Sequence, residues 1–328
     1  MTGLLTEPKI EEWMPPEEQQ FRGRAKEYLE RAGDMGLLPA PLATFGIFPK
    51  GVSSVVFLVN AETEPFVAKM ALEPTKVAVE AACFKAWHDH GVKTPQVYSS
   101  HVATSDLPVS MATFEYIEAA DLSEEPITDK AAANQVSRKL GRFLAQMHEA
   151  KSSGFGIPQL PDLTGKRSTF GEEVLPSLHR RLESLAQRSI ITSKDTEEVL
   201  KAFWVLEADV GRGRESCLTH NDYLTYNVLN TEPFTVFDPD PLVTHPMLDL
   251  ATSMIISEAI GQPDRYGVAD EILAGYREMT QVDSRMLSAA AVVRTIRKMN
   301  TWAHKNRMEQ VNICVEILRR EAKKLDNY

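Results

Sequence analysis

The chain is poor in cysteine, has no long apolar run and carries no surplus of positive charge. Its three cysteines, Cys83, Cys217 and Cys314, lie far apart in 328 residues and form no CxxC pair. An odd, scattered set excludes a disulfide framework and a cysteine zinc site, and it fits a reducing compartment. No apolar stretch approaches the roughly 20 residues that span a bilayer. The opening "MTGLLTEPKIEEW" has no basic segment followed by an apolar one, so no signal peptide is expected and the reading is cytoplasmic. Lys and Arg number 36 against 46 Asp and Glu, a net charge of -10. Nucleic acid and anionic lipid both demand clustered positive charge, so neither is an expected partner. A small molecule is, and the overall charge favours a cationic one. What remains is an ordinary globular balance, 43% hydrophobic and 25% charged, with no internal repeat.

The pattern along the chain changes character near Glu118. Before it, Glu17 to Ala32 is amphipathic with helical spacing. "LATFGIFPKGVSSVVFLVN" reads as strand, turn, strand, and "EPFVAKMAL" as a third strand. "PTKVAVEAACFKAWHDHG" reads as a helix stopped by Gly91. "PQVYSSHVA" and "LPVSMATFEYI" are two further strands. After it come a long helix in "DKAAANQVSRKLGRFLAQMHEA", a loop at "SSGFGIP", and helical patterns over 194–209, 249–260 and 284–325. The only strand-like part of this half is "CLTHNDYLTYNVLNTEPFTVFDPDP". The expectation is an α+β chain of two domains. Residues 1–117 form a small antiparallel-sheet lobe with an N-terminal helix, and residues 118–328 a larger helical lobe. Ligands often bind between two such lobes.

The polar stretch carries the chemistry. In "HNDYLTYN", His220, Asp222 and Asn227 fit H-x-D-x-x-x-x-N, the spacing of a phosphotransferase catalytic loop. A carboxylate orients an alcohol or takes its proton, and a neutral amide oxygen ligates a hard cation without adding charge. The same residues also suit a turn with Asx hydrogen bonds. Eleven residues after Asn227, the strand "FTVFD" ends in Asp238, the place of a second magnesium ligand. Upstream, Lys69 in "FVAKM" would hold nucleotide phosphates, braced by Glu80 on the following helix, with Glu73 as the competing partner. The turn "FPKGVSSVVF" offers Gly51, Ser53 and Ser54 to phosphate oxygens, although it is no G-x-G-x-x-G.

Together, Lys69, Glu80, "HNDYLTYN", "VFDPDP" and "HPMLDLA" resemble the aminoglycoside phosphotransferase and choline kinase group of the protein-kinase-like superfamily. "GVKTPQVY" and "LGRFLAQMH" add to the likeness, which covers residues 40 to 255. The resemblance implies a bilobal protein-kinase-like fold, ATP or GTP, Mg2+, and phosphoryl transfer to a small molecule's hydroxyl. It implies that the connector from Thr113 through Glu115 to Ile117 meets the adenine with its backbone. It also implies that Asp249 braces the catalytic loop and that His220 is structural. Some positions depart from the common pattern: Asn221 for Gly, Tyr223 for Leu, His245 for Asp, and Pro239 after the metal aspartate. No one branch matches throughout, so the acceptor stays open, and its pocket falls in residues 163–214 and the C-terminal helices.

The doubled Asp-Pro is the most specific local expectation. A residue before proline is pushed toward extended backbone, and both Asp238 and Asp240 precede one. In an extended segment both carboxylates would face one side, with Asp238 on magnesium and Asp240 in a supporting network, on a cationic acceptor, or simply solvated. Two rival readings stand beside the kinase: a catalytically silent kinase-like nucleotide-binding protein, and a metal-dependent phosphohydrolase using His220, Asp222, Asp238, Asp240 and His245.

Overall fold

A computed structural model of the chain describes residues 4–11, 13–49, 53–124, 127, 129–211, 216–261 and 267–327. The chain forms two compact units, one of residues 1–88 and 93–119, the other of residues 89–92 and 120–328.

The first unit is built on a five-stranded antiparallel sheet. Its strands are β1 Thr44–Ile47, β2 Val55–Asn60, β3 Phe66–Ala71, β4 Val97–His101 and β5 Ser110–Glu115, in the order β1-β2-β3-β5-β4. Strand alternation sorts the side chains of β3. Phe66, Ala68 and Met70 join a core with Phe57, Met111 and the helix residues Phe21, Tyr28 and Leu29. Each large side chain so buried contributes about 1.5–3 kcal/mol. Those helices are α1 Pro16–Gly23 and α2 Ala25–Asp34. A single helix was expected here, but Arg24 leaves helical geometry at φ -107° and ψ 4° and breaks it in two. The alternate residues of β3, Lys69 among them, face α3 Lys76–Asp89. There Phe84 packs edge-on against Phe114 at 5.5 Å.

The second unit is mainly helical: α4 Lys130–Met147, α5 Phe170–Gln187, α6 Ser193–Gly211, α7 Pro246–Ile260, α8 Ala269–Met279, α9 Ser284–His304 and α10 Met308–Leu325. Helices α4 and α8 touch backbone to backbone. A methyl added at Gly141 would lie 2.0 Å from the Ile272 carbonyl, and one at Gly275 would lie 2.0 Å from that of Arg138. Only glycine permits that approach. Strands β6 Phe155–Gln159, β7 Thr164–Arg167, β8 Cys217–Thr219 and β11 Leu242–Thr244 form a sheet in the order β7-β6-β11-β8. The hairpin of β9 Val228–Leu229 and β10 Thr235–Val236 stands apart. The loop expected at "SSGFGIP" is thus partly strand β6. Gly156, at φ +93°, and Pro158 punctuate it like a loop, and its ladder to β7 shifts register between Phe155 and Pro158. The polar stretch is accordingly not the only strand-forming part of this half. Among the described residues no helix is long and apolar enough to cross a membrane.

Candidate active site

The catalytic-loop residues hang between β8 and β9, on a scaffold anchored from below by one buried acid. Asp249, in the first turn of α7, is fully buried. Its Oδ2 accepts the His220 N–H at 2.8 Å and its Oδ1 the Asn221 N–H at 2.9 Å. His148 Nε2 lies 3.4 Å from Oδ2, and His148 Nδ1 meets the Tyr276 hydroxyl at 2.8 Å. Burial alone would raise the Asp249 pKa. The His148 hydrogen bond and the His148, His220 and Arg294 charges outweigh it and hold the carboxyl below its ordinary value. Tyr223 ties the same loop sideways, donating to the Leu140 carbonyl at 3.1 Å, while Ser253 donates to the Tyr223 carbonyl at 2.7 Å. Burial, then the Asp249 charge, push the Tyr223 phenol up, so it stays a donor.

On this base Asp222 is partly exposed. Its carboxylate accepts the Tyr226 hydroxyl on both oxygens at 3.2 Å. Asn227, in the single 3-10 turn Thr225–Asn227, donates Nδ2 to the Asp222 carbonyl at 2.8 Å and to its carboxylate at 3.3 Å. The peptide groups around Phe237 are gripped from both sides: its N–H donates to the Asn227 carbonyl at 3.0 Å, and its carbonyl accepts from His220 Nε2 at 3.0 Å. His220 therefore carries its proton on Nε2 and joins the catalytic loop to the strand end that leads into Asp238.

Asp238 corrects an expectation. It is not extended but sits at φ +52°, in the left-handed region, with its side chain exposed and the following Pro239 buried. The pre-proline rule is a bias, and here the clamp on Phe237 and the burial of Pro239 prevail. The alternation that would aim Asp238 and Asp240 the same way is therefore lost. Asp240 instead accepts Asn221 Nδ2 at 3.0 Å and Arg297 Nη2 at 3.3 Å, while its N–H donates to the His220 carbonyl at 3.1 Å. It belongs to a supporting network.

Asn221 is the hub of that network. At φ +60° it occupies a conformation that suits Gly or Asn. Its Oδ1 accepts from Arg294 at 2.9 Å and from Arg297 at 2.7 Å. Arg294, Arg297 and Lys298 all come from α9. Lys298 Nζ lies 4.0 Å from Asp222 Oδ1. Burial pushes this amine down to about 8, with Asp222 pulling up and Arg297 and Arg294 pushing down. None of these cations, nor Tyr226 or His148, stood out in the motif reading. The spacing of Arg294, Arg297 and Lys298 on one helix face was the available signal.

In the first unit, Lys69 Nζ donates to Glu80 Oε2 at 2.6 Å, with both side chains buried. Glu80, rather than Glu73, meets the lysine. Ser53 is exposed, and Ser54 is buried with its carbonyl 3.4 Å from Arg22 Nη2. Gly51 lies outside the described residues. Thr113 is set aside as an adenine contact. It lies inside the sheet, flanked by Ala68 on β3 and Ser99 on β4, with its hydroxyl 2.8 Å from that of Ser99. Its backbone has no open edge. Glu115 ends β5, donating its N–H to the Gln96 carbonyl at 2.9 Å, and Ile117 lies beyond the ladder, its carbonyl accepting from Ala119 N–H at 3.0 Å.

The donor set suits magnesium, which takes one or two protein oxygens, keeps water and shares substrate phosphates. In the second unit Asn227 would offer one amide oxygen and Asp238 one carboxylate. Among the described residues no three His, Cys, Asp or Glu side chains could enclose a metal. His245 caps α7, accepting the Met247 N–H at 3.2 Å, and its Nε2 meets Asp209 at 3.1 Å. The five-residue metal cluster of the phosphohydrolase reading is therefore not assembled. A cavity of 410 Å³ in the same unit, walled by His148, Lys151, Met247, Tyr276 and Met279, includes none of the candidate residues.

Residues 44–285 match the model of the phosphotransferase enzyme family, APH. A search of curated proteins found no match. Among solved structures the chain is similar to a thermostable mutant of aminoglycoside phosphotransferase APH(4)-Ia in ternary complex with AMP-PNP and hygromycin B. The identity is 13% and the TM-score 0.62, over 90% of this chain and 98% of that one. It is similar to the GDP complex of an aminoglycoside 2′-phosphotransferase-IIIa mutant, at 13% identity and TM-score 0.57 over 91% and 97%. It is also similar to spectinomycin phosphotransferase, APH(9)-Ia, with ADP and spectinomycin, at 15% identity and TM-score 0.52 over 92% and 98%. At these identities the likeness establishes the protein-kinase-like fold, an antiparallel-sheet lobe followed by a helical one. Since the family model spans well over half of its length, the chain belongs to the phosphotransferase enzyme family.

Proposed function

We propose that the protein transfers the γ-phosphoryl group of a nucleoside triphosphate to a hydroxyl of a small molecule. The observation that carries this reading is the pairing of Asp222 and Asn227. The Asn227 nitrogen donates to Asp222, which leaves the amide oxygen of a buried side chain beside a partly exposed carboxylate. Asp222 orients the acceptor hydroxyl and takes its proton as the oxygen attacks phosphorus. Tyr226 and Asn227 hold the carboxylate in place for that role. Asn227 and Asp238 would hold magnesium, whose charge offsets that of the phosphates. Lys69, fixed by Glu80, holds phosphate oxygens. Positioning and charge neutralisation carry such a reaction, with little covalent work for the protein.

The nucleotide is ATP or GTP. The similar structures hold AMP-PNP in one case and GDP in another. Asp222→Asn should abolish acceptor-dependent ADP release while Mg-nucleotide still raises the melting temperature. Near-wild-type turnover in that variant would remove Asp222 from the reaction. Stabilisation by nucleotide with no turnover in the wild-type chain would favour the catalytically silent alternative.

A further inference from the structure

An acidic chain, net charge -10, sets three cations beside the Asp222 loop. Arg294, Arg297 and Lys298 stand at i, i+3 and i+4 on α9 and so share one face. Arg181 on α5 lies within electrostatic reach of Arg297. The carboxylates of the same segment are Asp222, Asp238, Asp240 and Asp249, of which Asp249 is fully buried. Asp249 is occupied by two backbone N–H groups and His148. Asp240 Oδ2 is held by Asn221 and Arg297, while its side chain stays exposed.

The cations differ in how fully they are used. Arg294 is buried and engaged by the Leu248 carbonyl and Asn221, so it is structural. Arg297 is partly engaged and partly exposed. Lys298 has Asp222 only at 4.0 Å, beyond hydrogen-bond reach. Among the described residues, Arg181 meets no carboxylate, and its one hydrogen bond is to the Ser177 hydroxyl at 3.1 Å. Burial, then the repulsion of Arg297 and Arg180, press its pKa down.

We infer that the acceptor is an anionic alcohol, bearing a carboxylate or phosphate that Arg181, Arg297 and Lys298 bind while Asp222 takes its hydroxyl. This rests on the phosphotransferase reading above and reverses the cationic acceptor that overall charge suggested. Guanidinium groups match carboxylate and phosphate in geometry as well as charge.

The test measures ADP release by the full chain with Mg-ATP or Mg-GTP on four acceptors. Glycerate and glycerol 3-phosphate are anionic and separate carboxylate from phosphate. Ethanolamine and glucosamine are cationic. The expected result is kcat/KM at least tenfold higher for one of the anionic pair. Arg181→Gln and Lys298→Met, each checked for an unchanged melting transition, should each lower the anionic-to-cationic ratio at least tenfold. A preference for the amines, or a ratio unmoved in both variants, overturns the acidic acceptor and keeps the phosphotransferase reading. Absence of product from all four acceptors also overturns the inference, and leaves the phosphotransferase reading to the Asp222→Asn test.

Discussion

Removing Asp249 should cost the second unit stability before it costs anything else. In Asp249→Ala the N–H groups of His220 and Asn221, now 2.8 and 2.9 Å from its carboxylate, stay buried with no acceptor. Each buried donor left unsatisfied costs about 1–3 kcal/mol, so the pair should cost roughly 4 kcal/mol. For a unit of this size each kcal/mol moves the midpoint by about 2–4 °C, giving a drop of roughly 8–16 °C. Asp249→Asn keeps one acceptor oxygen and should lose about half as much. Acid adds a second signature. The folded carboxyl titrates below its unfolded value of about 3.9, so its stabilisation is complete above that pH and is lost as pH falls through the folded pKa. The wild-type chain should show that acid loss, and Asp249→Asn should lack it. Scanning calorimetry across pH reads both. A midpoint for Asp249→Ala within about 2 °C of wild type would refute the view that this acid carries the loop.

Other outcomes follow from single contacts. Lys69→Met breaks the buried ion pair with Glu80 and should destabilise the first unit by about 3–5 kcal/mol in urea denaturation; nucleotide binding, read by thermal shift, should also fall. Tyr226→Phe removes both hydroxyl contacts to Asp222 and should lower kcat about three- to tenfold through looser orientation, with the midpoint nearly unchanged. Asn221→Ala loses the amide network and places Cβ at φ +60°, so it should destabilise more than Asn221→Gly, which keeps the backbone freedom; calorimetry ranks the two. Asp195, held down to about 2 by the Arg319 hydrogen bond, should lend about 1–2 kcal/mol after screening of the exposed arginine, lost between about pH 4 and 2. Asp195→Asn should flatten that limb of the acid-unfolding curve.

The parts of this site that a sequence reveals are those its chemistry forces into one segment. His220, Asp222 and Asn227 share a loop, and their spacing points to phosphotransfer without a fold. Lys69 and Glu80 were legible because a strand and its next helix are neighbours in both sequence and space. Arg294, Arg297 and Lys298 lie some seventy residues past that loop, and only the packing of α9 brings them to it. Their helical spacing was readable, but nothing local tied it to Asp222. Asp238 shows the opposite failure. A local rule set its backbone as extended, while two long-range hydrogen bonds to Phe237 and the burial of Pro239 decided otherwise. Strand β6 escaped because Gly156 and Pro158 mark loops everywhere except in a short, irregular ladder.

Asn221 also bears on how this protein can be altered. Arg297 is strapped to the same amide that shapes the backbone beside Asp222, so any replacement of Arg297 also disturbs the segment that carries Asp222. Arg181 has no such strap. The two arginines are thus unequal targets for substitution: Arg181 can be changed alone, whereas a change at Arg297 requires a compensating change at Asn221.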